Sequence, residues 1–60
     1  MQISRVKEYI GKDVSIQLFN EYIGWVNGIL EYDKNSPQKF HIGKTYFNAS
    51  DVKRIGFVSL

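Results

Sequence analysis

The apolar residues at the start of the chain recur at the spacing of a helix. Between residues 2 and 10, four of them lie three or four positions apart, namely Ile3, Val6, Tyr9 and Ile10. Gly11 follows this stretch and predicts its end, because glycine adopts a left-handed cap without steric cost. A helix this short is not stable alone. We therefore expect it to cover one open end of the structure that the rest of the chain forms.

The pattern then changes to the alternation of strands. Val14, Ile16 and Leu18 are separated by single polar residues, which predicts a strand with one buried face. A turn is predicted at residues 20–21. The next run is too long for a flat strand, and its glycines at positions 24 and 28 permit a sharp bend. The five strands predicted in this way cover residues 14–19, 22–32, 39–42, 45–48 and 52–58.

The alternation also assigns faces to the strands. In the third strand we expect Phe40 and Ile42 to point inward. In the long second strand, one face is expected to carry Val26, Gly28, Leu30 and Tyr32, and the other Trp25, Asn27, Ile29 and Glu31. Residues 33–38 are polar or turn-forming and include Pro37, so they predict a loop.

The length of the chain allows one domain, and its composition indicates assembly. Sixty residues bury only about 60% of the surface that the unfolded chain exposes, so we assign residues 1–60 to a single, mainly β domain. With no cysteine and one histidine, neither a disulfide nor a Cys/His zinc site is expected to stabilise it. Aromatic residues make up 15% of the chain and can supply apolar patches for a partner. We therefore expect a homo-oligomer.

Charge and chemistry narrow the classes of function. The net charge of +2 and the pI near 9.0 mildly favour polyanionic partners. No apolar run reaches the length of a membrane helix and the start lacks the apolar segment of a secretory signal, so we expect a cytoplasmic protein with no membrane partner. One histidine, no cysteine and scattered carboxylates give no catalytic set. We expect neither an enzyme nor a bound cofactor or metal.

The order of one helix and five strands, with a bent second strand, resembles the Sm/LSm fold and its bacterial relative Hfq. Residues 11–20 resemble the opening of the first Sm motif, where a glycine precedes alternating apolar residues and an asparagine ends the strand. Gly28, Leu30 and Asp33 resemble its later part. The spacing of the second Sm motif is matched by Phe47, Ser50, Asp51, Val52 and Ile55. The resemblance implies a short N-terminal helix followed by a five-stranded, strongly bent antiparallel small β-barrel.

The chain departs from the family at positions that would bind RNA. Asn48 and Ala49 replace the arginine and glycine of the second motif, which help to build the RNA-binding loop in the family. Glu21 stands where a glycine usually follows the asparagine, and the first hairpin is longer than the family pattern by about two residues. We expect a divergent, phage-encoded relative in which uridine recognition of the Sm kind is weak or absent.

The resemblance implies binding of single-stranded RNA through the loops around Asp33 and Asn48. Aromatic rings can stack on bases, polar loop side chains can bond to base edges, and cations can neutralise phosphates. The candidate nucleic-acid-binding residues are Tyr32, Asp33, Lys34, Asn35, His41, Asn48, Lys53 and Arg54. Turn formation, core packing and a solvated charged face explain the same residue types, so both interpretations stay open here.

The resemblance also implies that the last two strands pair between subunits to form a ring. Residues 45–48 of one subunit would pair with residues 52–58 of the next. The expected interface residues are Thr45, Tyr46, Phe47, Val52, Ile55, Phe57 and Val58. Two alternatives stay open. One is a protein-interaction or inhibitory module that docks through exposed Trp25 and Phe47, and the other is a module that holds a nucleotide in pockets between subunits.

Overall fold

The protein is mainly β with one short helix, as a computed structural model describes for residues 1–58. The predicted domain, residues 1–60, extends two residues beyond this range. The elements, in chain order, are α1 (Ile3–Lys7), β1 (Asp13–Leu18), β2 (Trp25–Ile29), β3 (Glu31–Tyr32), β4 (Phe40–Ile42), β5 (Thr45–Phe47), a 3-10 helix (Ala49–Asp51) and β6 (Val52–Phe57).

The strands form two antiparallel sheets of three strands each. The first sheet has the order β2-β1-β6, and the second has the order β3-β4-β5. Within residues 1–58 no ladder joins the two sheets into a closed barrel. The mainly β class with a short N-terminal helix is confirmed, but the five-stranded, Sm-like small β-barrel is not.

The predicted second strand is broken at Leu30. The N–H of Leu30 donates to the carbonyl oxygen of Lys12 (3.0 Å), and its carbonyl oxygen accepts from the N–H of Gly11 (2.8 Å). The first bond keeps the register of the β1–β2 ladder, whereas the second is offset by one residue, so β2 ends at Ile29. β2 and β3 then belong to different sheets. Residues 1–58 therefore contain six strands where five were predicted.

The beginning of the predicted second strand is a turn. Asn20 holds it, because its carbonyl oxygen accepts from the N–H of Gly24 (2.9 Å) and its side-chain Oδ1 accepts from the N–H of Tyr22 (2.9 Å). Gly24 has a φ of +65°, which a side chain would strain. The turn predicted at residues 20–21 is found here, and it extends as far as β2.

The alternation of buried and exposed residues is confirmed in β1 and β4. Val14, Ile16 and Leu18 are buried on one face of β1, and Phe40 and Ile42 are buried in β4. The two faces assigned to the long second strand are also found across β2, Leu30 and β3, since exposed and covered residues alternate from 25 to 32. Period-two patterning therefore predicted the core side of these strands correctly.

The core lies between the two sheets and includes a group of three aromatic rings. The rings of Phe40 and Phe47 are stacked at 6.2 Å between centroids, and the ring of Tyr32 lies 5.2 Å from Phe40. Phe40 and Phe47 are 0% and 1% exposed. The fully or nearly buried apolar residues are Val6, Val14, Ile16, Leu18, Leu30, Phe40, Ile42, Phe47, Ala49 and Val52.

The helix is shorter than its apolar pattern predicted. It ends at Lys7, after which the N–H of Tyr9 and that of Ile10 donate three residues back and tighten the chain into turns. Gly11, with a φ of +83°, then directs the chain into β1. Of the four predicted apolar positions only Val6 is fully buried. The helix inserts this side chain into the core and contacts the 3-10 helix.

Candidate nucleic-acid interface

The predicted RNA-binding residues are divided between the two sheets. Tyr32 ends β3, residues 33–35 begin the loop after it, and His41 lies in the middle of β4. Asn48 follows β5, whereas Lys53 and Arg54 lie in β6 of the other sheet. The fold therefore does not bring all eight predicted residues onto one sheet.

His41 lies in a small polar and aromatic cluster on the second sheet. Its ring stacks on that of Tyr46, with 4.6 Å between centroids, and its side chain is 18% exposed. The Nδ1–H donates to the carbonyl oxygen of Gly43 (3.0 Å), and Nδ1 lies 3.5 Å from Oε2 of Glu31. A carbonyl oxygen only accepts, so in the neutral ring Nε2 is left as an acceptor. Tyr46 is 44% exposed and presents the accessible ring of this pair.

The loop after β3 is held by its own hydrogen bonds. Oδ1 of Asp33 accepts from the N–H of Asn35 (3.0 Å), and the N–H of Asp33 donates to the carbonyl oxygen of Lys39 (2.7 Å). The amino group of Lys39 donates to the carbonyl oxygen of Lys34 (3.2 Å). These bonds fix the loop and use one acceptor of Asp33, while the Lys34 side chain stays exposed.

Tyr32 is not an open stacking platform. Its ring packs on Phe40 at 5.2 Å, and the amino group of Lys7 lies 4.9 Å from the ring centroid. Tyr32 is half-buried as a result. A base could reach this ring only after Lys7 moves aside.

Several predicted interface residues belong to the core instead of the surface. Phe47 and Val52 are each 1% exposed, because they pack among the core residues. The expected exposure of Phe47 as a docking aromatic is therefore wrong, and only the backbone of these two residues can meet another subunit. Tyr46 and Phe57 are exposed by 44% and 64%, and Phe57 packs against Tyr9 at 5.2 Å. Thr45, Ile55 and Val58 are half-buried.

The backbone groups of Asn48 are hydrogen-bonded at the corner between β5 and the 3-10 helix. Its N–H donates to Oδ2 of Asp51 (2.8 Å), and its carbonyl oxygen accepts from the N–H of Asp51 (2.9 Å). This reciprocal pair closes the turn between β5 and β6. Asn48, at the position where the second Sm motif has an arginine, is therefore the N-cap of the 3-10 helix.

The outer face of the first sheet presents an aromatic and a cationic residue side by side. In the strand registers, Gln17 of β1 lies opposite Trp25 of β2 on one side and opposite Arg54 of β6 on the other. These three residues form a row on the face that points away from the core. Trp25 is 54% exposed, and Arg54 is exposed as well.

The adjacent row of the same face consists of small residues. Ser15 lies between Asn27 and Gly56. The side chains of this row are shorter than those of the row that contains Trp25 and Arg54. The difference in height leaves a groove of about 500 Å³, which we call the Trp25 groove. It is lined by Ser15, Trp25, Asn27, Arg54, Ile55, Gly56, Phe57 and Val58.

Sequence reasoning named Trp25 and Arg54 separately but missed the groove. Ser15, Asn27 and Gly56 come from three strands, and only the register between the strands places them in one row. Gly56 was the one signal in the sequence, since glycine inside a strand often marks a close backbone approach or a missing side chain that something else fills.

The part of the chain that the structure describes offers few other kinds of site. It contains no cluster of three or more His, Asp or Glu side chains that could hold a metal ion. None of its helices has the length and apolar character needed to cross a membrane. Among these residues the single ion pair found joins His41 and Glu31, so Arg54 has no carboxylate of a described residue within 4.0 Å.

Comparison with protein-family models, with curated proteins and with solved structures found no match to this chain. The likeness to Sm/LSm proteins therefore depends on the residues and on the strand order described above, and it stays a prediction.

Proposed function

We propose that this chain is an Sm-like protein that assembles into a homo-oligomeric ring and binds single-stranded RNA. The proposal depends above all on the position of the last two strands. β5 and β6 are outer strands of their sheets, and within residues 1–58 each pairs along one side only. An outer strand presents backbone groups to which another chain can bond. These are the strands that the Sm/LSm resemblance assigns to pairing between subunits.

The strand order supports the same proposal. The order runs β6-β1-β2 in one sheet and β3-β4-β5 in the other, and only Leu30 separates β2 from β3 along the chain. The two sheets are thus connected as the two halves of one strongly bent sheet would be. This is the arrangement expected of an Sm-like fold whose long second strand bends between the halves.

Exposed rings and cations favour single-stranded RNA as the ligand. Trp25 and Tyr46 are 54% and 44% exposed, one on each sheet. Lys34, Lys53 and Arg54 are also exposed, and the chain carries a net charge of +2. Exposed rings stack on unpaired bases, whereas a duplex hides the faces of its bases.

One observation favours a protein partner as a second candidate. The loop between β1 and β2 exposes three large apolar side chains, with Phe19 at 60%, Tyr22 at 102% and Ile23 at 45%. Such a cluster is typical of a surface that another protein covers. We therefore keep the protein-interaction module as the alternative. Its docking surface would consist of Trp25 and this loop, without the buried Phe47.

We expect size-exclusion chromatography with light scattering to show a discrete multimer of the 7.0 kDa chain. The absorbance ratio at 260 and 280 nm across the same peak reports bound nucleic acid. A multimer with an elevated ratio agrees with the proposal. A monomer free of nucleic acid would contradict the ring and favour the protein-interaction module.

We expect the double substitution Lys53→Ala and Arg54→Ala to weaken RNA binding and to reduce its salt dependence. If both cations contact phosphates, the slope of log K against log salt falls in magnitude by about 1.4 for single-stranded RNA. Fluorescence anisotropy of a labelled oligonucleotide at several salt concentrations measures this slope. An unchanged slope would exclude both residues from the phosphate contacts.

A further inference from the structure

We propose that the Trp25 groove is a nucleotide-binding site, in which one base stacks on the indole of Trp25 and the adjoining phosphate binds the guanidinium of Arg54. This inference rests on the proposed binding of single-stranded RNA. It places a contact on the outer face of the first sheet, away from the loops around Asp33 and Asn48.

The strand register sets the separation of the two contacts. Trp25 and Arg54 both lie opposite Gln17, so their backbones are two strand spacings apart, about 9.6 Å. Both side chains are long and can incline toward each other over Gln17. The span suits a ligand with a flat apolar part at one end and an anionic part at the other, as a nucleotide has.

The floor of the groove leaves room for this ligand and offers polar groups to it. Gly56 has no side chain, and the neighbouring Ser15 and Asn27 are small. The Ser15 hydroxyl and the Asn27 amide can each donate and accept hydrogen bonds, which suits a base edge or a ribose hydroxyl. The groove volume of about 500 Å³ is within the range of ligand sites, about 300–1,000 Å³.

The electrostatics of the groove favour an anion. No carboxylate of residues 1–58 lies within 4.0 Å of Arg54, so no described residue occupies its donors in an ion pair. A guanidinium presents a planar fork of donors that matches phosphate oxygens.

Trp25 is the single tryptophan of the chain, so its fluorescence reports on the groove directly. We expect an unlabelled single-stranded RNA oligonucleotide to quench this emission as it binds. The midpoint of quenching should coincide with the midpoint from anisotropy of the same oligonucleotide carrying a label. Trp25→Ala should weaken binding about 5- to 150-fold, the stacking contribution of one base.

A matched pair of substitutions tests the phosphate contact. Arg54→Gln and Arg5→Gln make the same change in charge, but only Arg54 lines the groove, whereas Arg5 lies on the exposed surface of α1. We expect Arg54→Gln to lower the salt slope by about 0.7. Arg5→Gln should change the affinity much less.

A second pair tests the groove by filling it. A Cβ added at Gly56 meets no heavy atom within 4 Å, so Gly56→Leu should fold normally and place its side chain in the groove. We expect this substitution to reduce affinity at least tenfold. Ser4→Leu adds the same side chain on the exposed surface of α1 and should leave the affinity unchanged. Circular dichroism and light scattering verify the fold and the assembly of both variants.

The outcomes separate this site from the proposed function. Quenching together with the losses at Trp25, Arg54 and Gly56 supports the groove as the nucleotide site. Binding by anisotropy that neither quenches Trp25 nor responds to Gly56→Leu overturns the groove and leaves RNA binding in place. Absence of binding to any single-stranded RNA overturns both.

Discussion

Phe40→Ala is expected to unfold most of the protein at room temperature. The Phe40 side chain is 0% exposed and lies between Tyr32 and Phe47, with ring centroids at 5.2 and 6.2 Å. Alanine would remove the central ring of this group and leave a cavity that its neighbours fill only in part. The expected loss in the free energy of unfolding is about 3–5 kcal/mol.

The small size of the chain makes this loss decisive. A single core in a chain of this length rarely supplies more than about 3–5 kcal/mol of net stability, so the expected loss is comparable with the whole. Without cysteine, no disulfide can offset it. If the protein assembles as proposed, subunit binding adds to the stability, so wild type and variant must be compared at one protein concentration.

Phe19→Ala is the matched control for this prediction. It removes the same side chain from a site that is 60% exposed, in the loop between β1 and β2. The expected change is within about 0.5 kcal/mol. Urea denaturation followed by far-ultraviolet circular dichroism gives both values. Equal unfolding midpoints for the two variants would show that Phe40 does not occupy the core as described.

The success of the sequence prediction at Phe40 has a local cause. Phe40, His41 and Ile42 alternate between apolar and polar, and a strand sends alternate side chains to opposite faces whatever its partner is. The same reasoning placed Val14 and Ile16 in the core. Such assignments need no knowledge of strand pairing, which is why they could be made from the chain alone.

The break at Leu30 has a non-local cause. Its backbone groups bond to Gly11 and Lys12, which are almost twenty positions away, and the apolar alternation continues through Leu30 without a signal. Helix α1 shows a similar limit. It ends at Lys7, where the N–H groups of Tyr9 and Ile10 begin to donate three residues back, although the apolar spacing continues to Ile10.

The candidate site was predictable only in part for the same reason. The single residues Trp25 and Arg54 were selected from their chemistry, but their common row with Gln17 depends on two registers that the sequence does not specify. A shift of one residue in either register would move one of them to the other face. The prediction for Phe47 failed in another way. Phe47 was predicted to be an exposed docking residue, but its side chain lies in the core.

Gly28→Ala is expected to be the most destabilising change at a glycine. Gly28 in β2 has a φ of +145°, which residues with a side chain rarely adopt. An added Cβ would lie 2.8 Å from Cγ2 of Ile42 in β4. Ile42 is branched at Cβ and 6% exposed, so this methyl group has little freedom to move. Of the glycines, Gly28 is therefore the one at which the first sheet lies closest to the second.

The backbone strain and the contact contribute separately to the expected loss. The strain costs about 1–3 kcal/mol. The forced contact with Ile42 costs a further amount of about 1–3 kcal/mol. Ile42→Leu, combined with Gly28→Ala, tests the cost of the contact, because leucine lacks the methyl group at Cβ. By itself this substitution costs less than about 1.5 kcal/mol. We expect the double variant to be more stable than the sum of the single changes predicts.

Gly56→Ala supplies the control, since Gly56 belongs to the same sheet and its added Cβ meets open space. This change should leave the urea midpoint unchanged or raise it, because alanine reduces the conformational freedom of the unfolded chain. Similar midpoints for Gly28→Ala and Gly56→Ala would contradict the close approach of β2 and β4. If Ile42→Leu does not relieve the stability lost in Gly28→Ala, the whole loss comes from backbone strain at Gly28. The space between Gly28 and Ile42 would then accept a methyl group.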